Sequence, residues 1–91
     1  MPELTITVHH SAGLHARPLA QFVKTAKTYD ATVQVYNVTS SKGPANGMSP
    51  LNLMLLAVQK DHTVKIVTDG PQADEALEGL KALIESNFGE E

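Results

Sequence analysis

The 91-residue sequence contains no cysteine and no tryptophan, and it has only two phenylalanines and two tyrosines. Without cysteine the chain has no disulfide framework, no thiolate nucleophile and no cysteine-type metal site. The lack of disulfides is typical of cytosolic proteins, and we expect a cytoplasmic location. Few aromatic and few basic side chains argue against nucleic-acid binding, which uses stacking surfaces and a strongly basic face.

Long apolar runs and leader segments are also missing. The longest uninterrupted apolar stretch runs from Leu53 to Val58 and is far too short to cross a bilayer. After Met1-Pro2-Glu3 the N-terminus alternates between apolar and polar residues, which does not match a signal peptide. The sequence therefore predicts no membrane insertion and one domain over residues 1–91.

Acidic side chains are absent between Leu4 and Tyr29. The formal net charge is −3, but residues 1–60 hold five basic and two acidic side chains, while residues 61–91 hold two basic and eight acidic ones. A locally positive surface around residues 15–27 of a net-acidic chain indicates an anionic ligand or an acidic partner there.

Three stretches alternate between apolar and polar residues, as half-buried strands do. Their apolar positions are Leu4, Ile6 and Val8, then Val33 and Val35, then Val64 and Ile66. Residues 37–47 are rich in serine, glycine, asparagine and proline and are predicted to hold a short further strand inside a hairpin.

Helical periodicity predicts three helices, at about residues 16–28, 51–58 and 71–87. Ser49-Pro50 is typical of a helix start, with serine as the N-cap and proline in the first turn. The apolar stripe of the first helix consists of Leu19, Phe22, Val23 and Ala26, and that of the last of Ala73, Ala76, Leu77, Leu80, Leu83 and Ile84. The order of elements predicts a two-layer α+β fold with an antiparallel sheet and its helices on one face, and a ferredoxin-like arrangement is the competing prediction.

His15 is predicted to lie just before the N-terminus of the first helix. Backbone N–H groups are unpaired there and the helix dipole is positive, so an anion attached to the ring would find donors. The same field disfavours the imidazolium and leaves a ring nitrogen free as a nucleophile. Two residues on, Arg17 offers a guanidinium fork suited to phosphate oxygens. This pattern favours a histidine that accepts and releases a phosphoryl group, and a capping or surface histidine is the alternative.

A metal site is not predicted for the histidines near the N-terminus. His9 and His10 are adjacent on a strand and therefore point to opposite faces, and no acidic residue lies near them in the sequence. His62 is predicted to be a surface residue at a strand edge without a companion. A core this small leaves little room for a substrate pocket, which favours a histidine that works at a protein–protein interface.

The string Gly13-Leu14-His15-Ala16-Arg17-Pro18 resembles the active-site motif of the HPr family, the histidine-containing phosphocarriers of the bacterial phosphoenolpyruvate:sugar phosphotransferase system. The resemblance extends over nearly the whole chain, through the element order, Phe22-Val23, the Ala20/Lys24/Lys27 face and the helix start at Ser49. It implies an open-faced β-sandwich in which a four-stranded antiparallel sheet carries three helices on one face.

The resemblance also implies the roles of individual residues. Enzyme I, charged from phosphoenolpyruvate, would phosphorylate Nδ1 of His15, and the phosphoryl group would pass to the A domain of a sugar-specific Enzyme II. Arg17 would bind the phosphoryl oxygens. The protein would be a monomeric carrier without a cofactor, rather than an enzyme. Its docking face would consist of Ala16, Ala20, Lys24, Lys27, Pro50, Leu51 and Met54.

The family has a regulatory serine at the start of its second helix, and Ser49 aligns with it. The resemblance implies phosphorylation of Ser49 by an ATP-dependent kinase, the HPr kinase/phosphorylase. Met48 and Pro50 depart from the residues that often flank this serine, and Asn52 stands where the family often has glycine. The alternative role of Ser49 is that of a plain N-cap.

Two other functions compete with the sugar-uptake carrier. One is a paralogue of the same fold in a regulatory, nitrogen-related phosphorelay, in which His15 still carries the phosphoryl group. The other is a non-phosphorylated interaction module that binds a transcriptional regulator through its apolar segment Leu51–Leu56.

Overall fold

The computed structural model describes residues 2–9 and 16–86. Within these ranges the chain forms four strands and three helices. In chain order they are β1 (Glu3–Thr7), α1 (Ala16–Lys27), β2 (Thr32–Asn37), β3 (Lys42–Asn46), α2 (Pro50–Met54), β4 (Thr63–Asp69) and α3 (Ala73–Glu85). The strands make one antiparallel sheet in the order β1-β4-β2-β3.

The register of the sheet separates an apolar face from a polar one. Ile66 of β4 pairs with Leu4 on one side and Val35 on the other, and Ile66 and Val35 are fully buried. The preceding residue, Lys65, pairs with Thr5 and Tyr36. The Nζ atom of Lys65 lies 5.5 Å from the centroid of the Tyr36 ring on the exposed face. The helices therefore cover one face, and the other is open.

The core is the apolar face of the sheet together with the helix stripes that the periodicity predicts. All four predicted stripe residues of α1 are buried. In α3, Leu77 and Leu83 are partly buried against the core, and the other four stripe residues are buried. The predicted α+β fold with three helices on one face of an antiparallel sheet is confirmed.

The first helix ends one residue earlier than predicted, at Lys27, and the second starts one residue earlier, at Pro50. The larger differences are at the end of the second helix and the start of the third. The second helix ends at Met54 instead of Val58, because Ala57 adopts a left-handed conformation with φ of 51°. Val58 follows this turn outside any helix or strand and is buried in the core. The third helix starts at Ala73 instead of residue 71, because Gly70, with φ of 122°, begins a turn. Its predicted end at residue 87 lies outside the described residues.

None of the helices in the described ranges combines the length and the hydropathy that crossing a bilayer requires.

Candidate functional site

His15, the predicted phosphoacceptor, lies outside the described residues, in the interval 10–15. The structure describes the chain on either side of it. Helix α1 begins at Ala16, directly after His15. The first turn of α1 holds no acidic residue, so no carboxylate of that turn offsets the positive end of the helix dipole. Residue 15 is thus adjoined by a helix N-terminus of the kind that attracts anions.

Arg17 is the second residue of α1, and its side chain is exposed. The next two residues, Pro18 and Leu19, are buried and hold this end of the helix against the core. Proline is accommodated here because an N–H in the first turn would have no partner within the helix. A permanent cation therefore stands in the first turn of the helix that follows His15.

The predicted basic face of α1 is exposed. Ala20, Lys24 and Lys27 all face solvent, while the residue immediately before each of them is buried. Lys24 and Lys27 lie in the last turn, where cations also interact favourably with the negative end of the helix dipole. Both a docking role and a role in helix stability are therefore compatible with their placement.

Helix α2 presents apolar side chains to solvent. Leu51 is 69% exposed, Met54 56% and the following Leu55 71%, whereas Leu53 is fully buried. Leu55 was not among the predicted docking residues, although it lies in the apolar segment that the sequence singles out. Helices α1 and α2 contact each other, so this apolar surface and the basic face of α1 belong to neighbouring elements. We call Leu51, Met54 and Leu55 the apolar surface of α2.

Ser49 is the N-cap of α2. Its Oγ accepts hydrogen bonds from the backbone N–H of Asn52 at 3.3 Å and from Nδ2 of Asn52 at 3.0 Å, and Pro50 occupies the first helical turn. Asn52 thus donates to this hydroxyl with its side chain as well as with its backbone. The predicted N-cap is confirmed.

The fold gives two histidines partners that are distant in the sequence. Nδ1 of His9 lies 3.3 Å from Oδ1 of Asp61, and both side chains are largely exposed, so the pair adds little stability. The prediction that His62 is a surface residue is wrong. His62 is half-buried, and its Nδ1 lies 3.1 Å from Nδ2 of Asn37. The reason is that β2 and the loop before β4 converge, which the local sequence does not indicate.

Across the part of the chain that the structure describes, no three histidine, cysteine or acidic side chains are grouped as metal ligands.

Comparison with known proteins identifies the family of this chain. Residues 2–86 match the family model described as PTS HPr component phosphorylation site. The phosphocarrier protein HPr of Vibrio cholerae is 42% identical over 85 residues, which cover 93% of this chain and 96% of that protein. Its counterpart in Pseudomonas aeruginosa is 39% identical over 90 residues, which cover 99% and 98%.

A solved structure of HPr-C-His from Thermoanaerobacter tengcongensis has the same fold, with a TM-score of 0.94, 38% identity, and coverage of 100% of this chain and 99% of that one. The fold and the matched sequence are those of a phosphocarrier of the bacterial phosphotransferase system rather than of a catalyst. The chain belongs to the HPr family.

Some relatives are much longer than this chain. The multiphosphoryl transfer protein of Haemophilus influenzae is 34% identical over 88 residues, which cover 97% of this chain but 18% of that protein. The sequence therefore also resembles one segment of a longer phosphoryl-transfer protein.

A solved structure of an HPr dimer from Thermoanaerobacter tengcongensis also has this fold. It matches with a TM-score of 0.76 and 38% identity, and the match covers 99% of this chain and 100% of that one.

Proposed function

We propose that this chain carries a phosphoryl group on Nδ1 of His15, receives it from Enzyme I charged by phosphoenolpyruvate, and passes it to the A domain of a sugar-specific Enzyme II. The observation that carries the proposal is the match of residues 2–86 to the HPr family, and in the sequence His15 immediately precedes Ala16, the first residue of α1. The exposed Arg17 in the first turn of that helix supports it.

The chemistry requires a neutral imidazole and donors for the phosphoryl oxygens. A lone pair on Nδ1 of His15 attacks phosphorus, and the bond between phosphorus and the donor breaks as the new P–N bond forms. Charge on the phosphoryl oxygens is stabilised by the N-terminus of α1 and by the guanidinium of Arg17. Transfer to the acceptor runs the same step in the opposite sense and returns a neutral histidine.

The docking face consists of residues on two helices. An apolar centre with a positive rim fits partners whose surfaces are apolar in the middle and acidic around it. Lys24 and Lys27 supply the positive rim, and α2 supplies exposed apolar side chains. The proposed contact residues are the seven that the resemblance implies, Ala16, Ala20, Lys24, Lys27, Pro50, Leu51 and Met54. We add Leu55, because it is the most exposed side chain of the apolar surface of α2.

The deciding experiment is phosphoryl transfer from phosphoenolpyruvate through a bacterial Enzyme I, followed by intact mass and by phosphorus NMR at neutral and acid pH. We expect one acid-labile phosphate on the wild type and none on His15→Ala. A folded wild type that gains no phosphate from its cognate Enzyme I, in a reaction where that enzyme is active, would refute the carrier.

The acceptor distinguishes the sugar-uptake carrier from a paralogue in a regulatory, nitrogen-related phosphorelay. Both need phosphate on His15, but only the first delivers it to an Enzyme II A domain that feeds a sugar transporter. Incubating the phosphorylated protein with A domains of both kinds, and following loss of the phosphate, separates the two branches.

The apolar surface of α2 favours a second candidate function, that of a non-phosphorylated interaction module. Three large apolar side chains exposed on one short segment are typical of a protein-binding surface. In this case a transcriptional regulator would bind the wild type and His15→Ala equally well, and neither would accept phosphate.

Regulation through Ser49 belongs to the same proposal. Phosphorylation of Ser49 by an HPr kinase/phosphorylase would place about two negative charges next to the apolar surface of α2 and weaken docking. The hydroxyl accepts hydrogen bonds from the backbone and side-chain nitrogens of Asn52, so these bonds must break before the kinase can phosphorylate it. Incubation with the kinase and ATP, with Ser49→Ala as the control, tests whether this site is used.

We also propose that the carrier works in the cytoplasm as a monomer. Size-exclusion chromatography with light scattering over a range of protein concentrations measures the oligomeric state.

A further inference from the structure

Methionines are the only residues of this chain that contain sulfur, because the sequence has three of them and no cysteine. Met1 lies outside the described residues, and the structure describes Met48 and Met54. Met48 is half-buried and packs against the core, whereas Met54 is 56% exposed. An oxidant that attacks sulfur therefore meets no thiol in this chain, and of the two described thioethers it reaches that of Met54 more readily.

Met54 is part of the apolar surface of α2. It is the last residue of that helix, three positions after Leu51 and directly before Leu55, and both of these leucines are exposed as well. Residues three apart lie on the same side of a helix. A partner that covers Leu51 and Leu55 therefore covers the thioether of Met54 too.

The packing at the end of α2 keeps Met54 out of the core. Leu53 and Leu56, on either side of Met54 and Leu55, are both buried and hold this segment against the sheet. The carbonyl of Met54 accepts the backbone N–H of Ala57 at 3.1 Å, which closes the turn after the helix. An oxygen atom added to the sulfur of Met54 would therefore change the surface and leave the core packing intact.

Oxidation of this thioether is a two-electron transfer of one oxygen atom from a peroxide. A lone pair on Sδ of Met54 attacks one oxygen of hydrogen peroxide, and the O–O bond breaks as the S–O bond forms. The departing hydroxide takes the proton of the transferred hydroxyl, so water leaves, sulfur is oxidised and the peroxide is reduced. The product is a polar, chiral sulfoxide, which methionine sulfoxide reductases return to the thioether with one enzyme for each epimer.

We propose that Met54 is a reversible oxidation site, and that its sulfoxide weakens the docking of partners on the apolar surface of α2. The sulfoxide oxygen is a hydrogen-bond acceptor, and covering it with an apolar partner surface removes its water without supplying a donor. The sulfoxide carries no net charge, so the positive rim of Lys24 and Lys27 is unchanged. This inference rests on the proposed function, because it takes Enzyme I as the partner that covers this surface.

The experiment oxidises the full chain alone with hydrogen peroxide, removes the peroxide and then measures binding of Enzyme I by calorimetry, so Enzyme I itself is never oxidised. Peptide mapping gives the sulfoxide fraction at each methionine. We expect Met54 to be oxidised faster than Met48, and full oxidation of Met54 to lower the affinity about tenfold or more. Treatment with reductases for both epimers should restore the affinity.

Two variants assign the effect to one sulfur atom, and each is compared with its own unoxidised form. Met54→Leu removes the thioether and keeps an apolar side chain of similar volume, so its affinity should not change on oxidation. Met48→Leu is the matched control, because it removes the other described thioether, and it should lose affinity on oxidation as the wild type does. Urea unfolding of Met48→Leu before and after oxidation should show equal stability, which separates a change of the surface from damage to the fold.

Three results would overturn the inference: unchanged affinity of the oxidised wild type, an equal loss in oxidised Met54→Leu, or oxidation of Met54 no faster than that of Met48.

If the unoxidised wild type does not bind its cognate Enzyme I, the proposed function fails separately, and hydrophobic interaction chromatography decides the oxidation site. Earlier elution of the wild type and of Met48→Leu after oxidation, but not of Met54→Leu, would support a redox-sensitive apolar surface on α2. Unchanged elution of the oxidised wild type would refute it.

Discussion

The ring of Tyr29 fills the space that a side chain at Gly79 would need. A Cβ atom on Gly79 would lie 2.9 Å from both Cε2 and Cζ of Tyr29, closer than real contacts allow. Tyr29 follows the end of α1, and Gly79 lies in the middle of α3, so the ring packs against the middle of α3. This contact explains why a poor helix former occupies the centre of α3.

The effect of Gly79→Ala on stability should therefore depend on Tyr29. In a Tyr29→Ala background, Gly79→Ala should raise the free energy of unfolding by about 0.5–1 kcal/mol, the helix propensity difference between the two residues. In the wild type the displaced ring should offset this gain. Urea unfolding of the four proteins measures the coupling, and an equal gain in both backgrounds would show that the ring moves away without cost.

Arg17→Ala should slow phosphoryl transfer while leaving the fold intact, because Arg17 is exposed and its proposed role is to stabilise charge on the phosphoryl oxygens. Removing one such donor from an active site costs about 10²–10³-fold in rate. Arg17→Lys should retain part of the rate, since it keeps the charge but loses the planar fork. Rapid-quench measurement at saturating Enzyme I tests both variants.

Lys24→Ala is the control for Arg17, because it removes a cation from the same helix but from its last turn. It should raise the concentration of Enzyme I needed for half-maximal rate and leave the maximal rate unchanged. A wild-type maximal rate in Arg17→Ala would remove Arg17 from the chemistry and leave it a docking role.

Leu55→Ala should weaken the binding of Enzyme I. Leu55 is the most exposed of the three side chains in the apolar surface of α2, and truncating a central apolar contact typically costs about 1–2 kcal/mol of binding free energy. Isothermal titration calorimetry measures the change. Val38→Ala is the control, because Val38 is 48% exposed but lies in the turn after β2. Equal losses in the two variants would argue against a specific surface on α2.

The helix stripes and the strands were predictable because their apolar residues recur at a regular spacing. Leu19, Phe22 and Val23 follow the helical period, and burial of that face follows from it. Val33 and Val35 alternate in the same way as a strand with one buried face. The family was predictable for another reason. The residue types and spacing of the motif around His15 are specific enough to indicate it without any tertiary information.

Features that depend on contacts distant in sequence were not predictable. Nothing local indicates that Asp61 reaches His9, or that the amide of Asn37 reaches the ring of His62, because each pair is joined only when the sheet forms. The early end of α2 has the same origin. Ala57 has good helix propensity, and only the burial of the following Val58 accounts for the turn that stops the helix there.

Ser49 allows the capping and charge effects at the start of α2 to be separated. Ser49→Ala loses the side-chain acceptor for Asn52 and should lower the free energy of unfolding by about 1 kcal/mol, with little effect on binding. Ser49→Asp keeps an acceptor at the cap but adds a negative charge beside Leu51, so it should retain stability and weaken binding to an acidic partner. Ser40→Asp, in the exposed turn after β2, controls for net charge. Urea unfolding and calorimetry with Enzyme I measure the two effects, and unchanged binding in Ser49→Asp would show that charge at this cap does not govern docking.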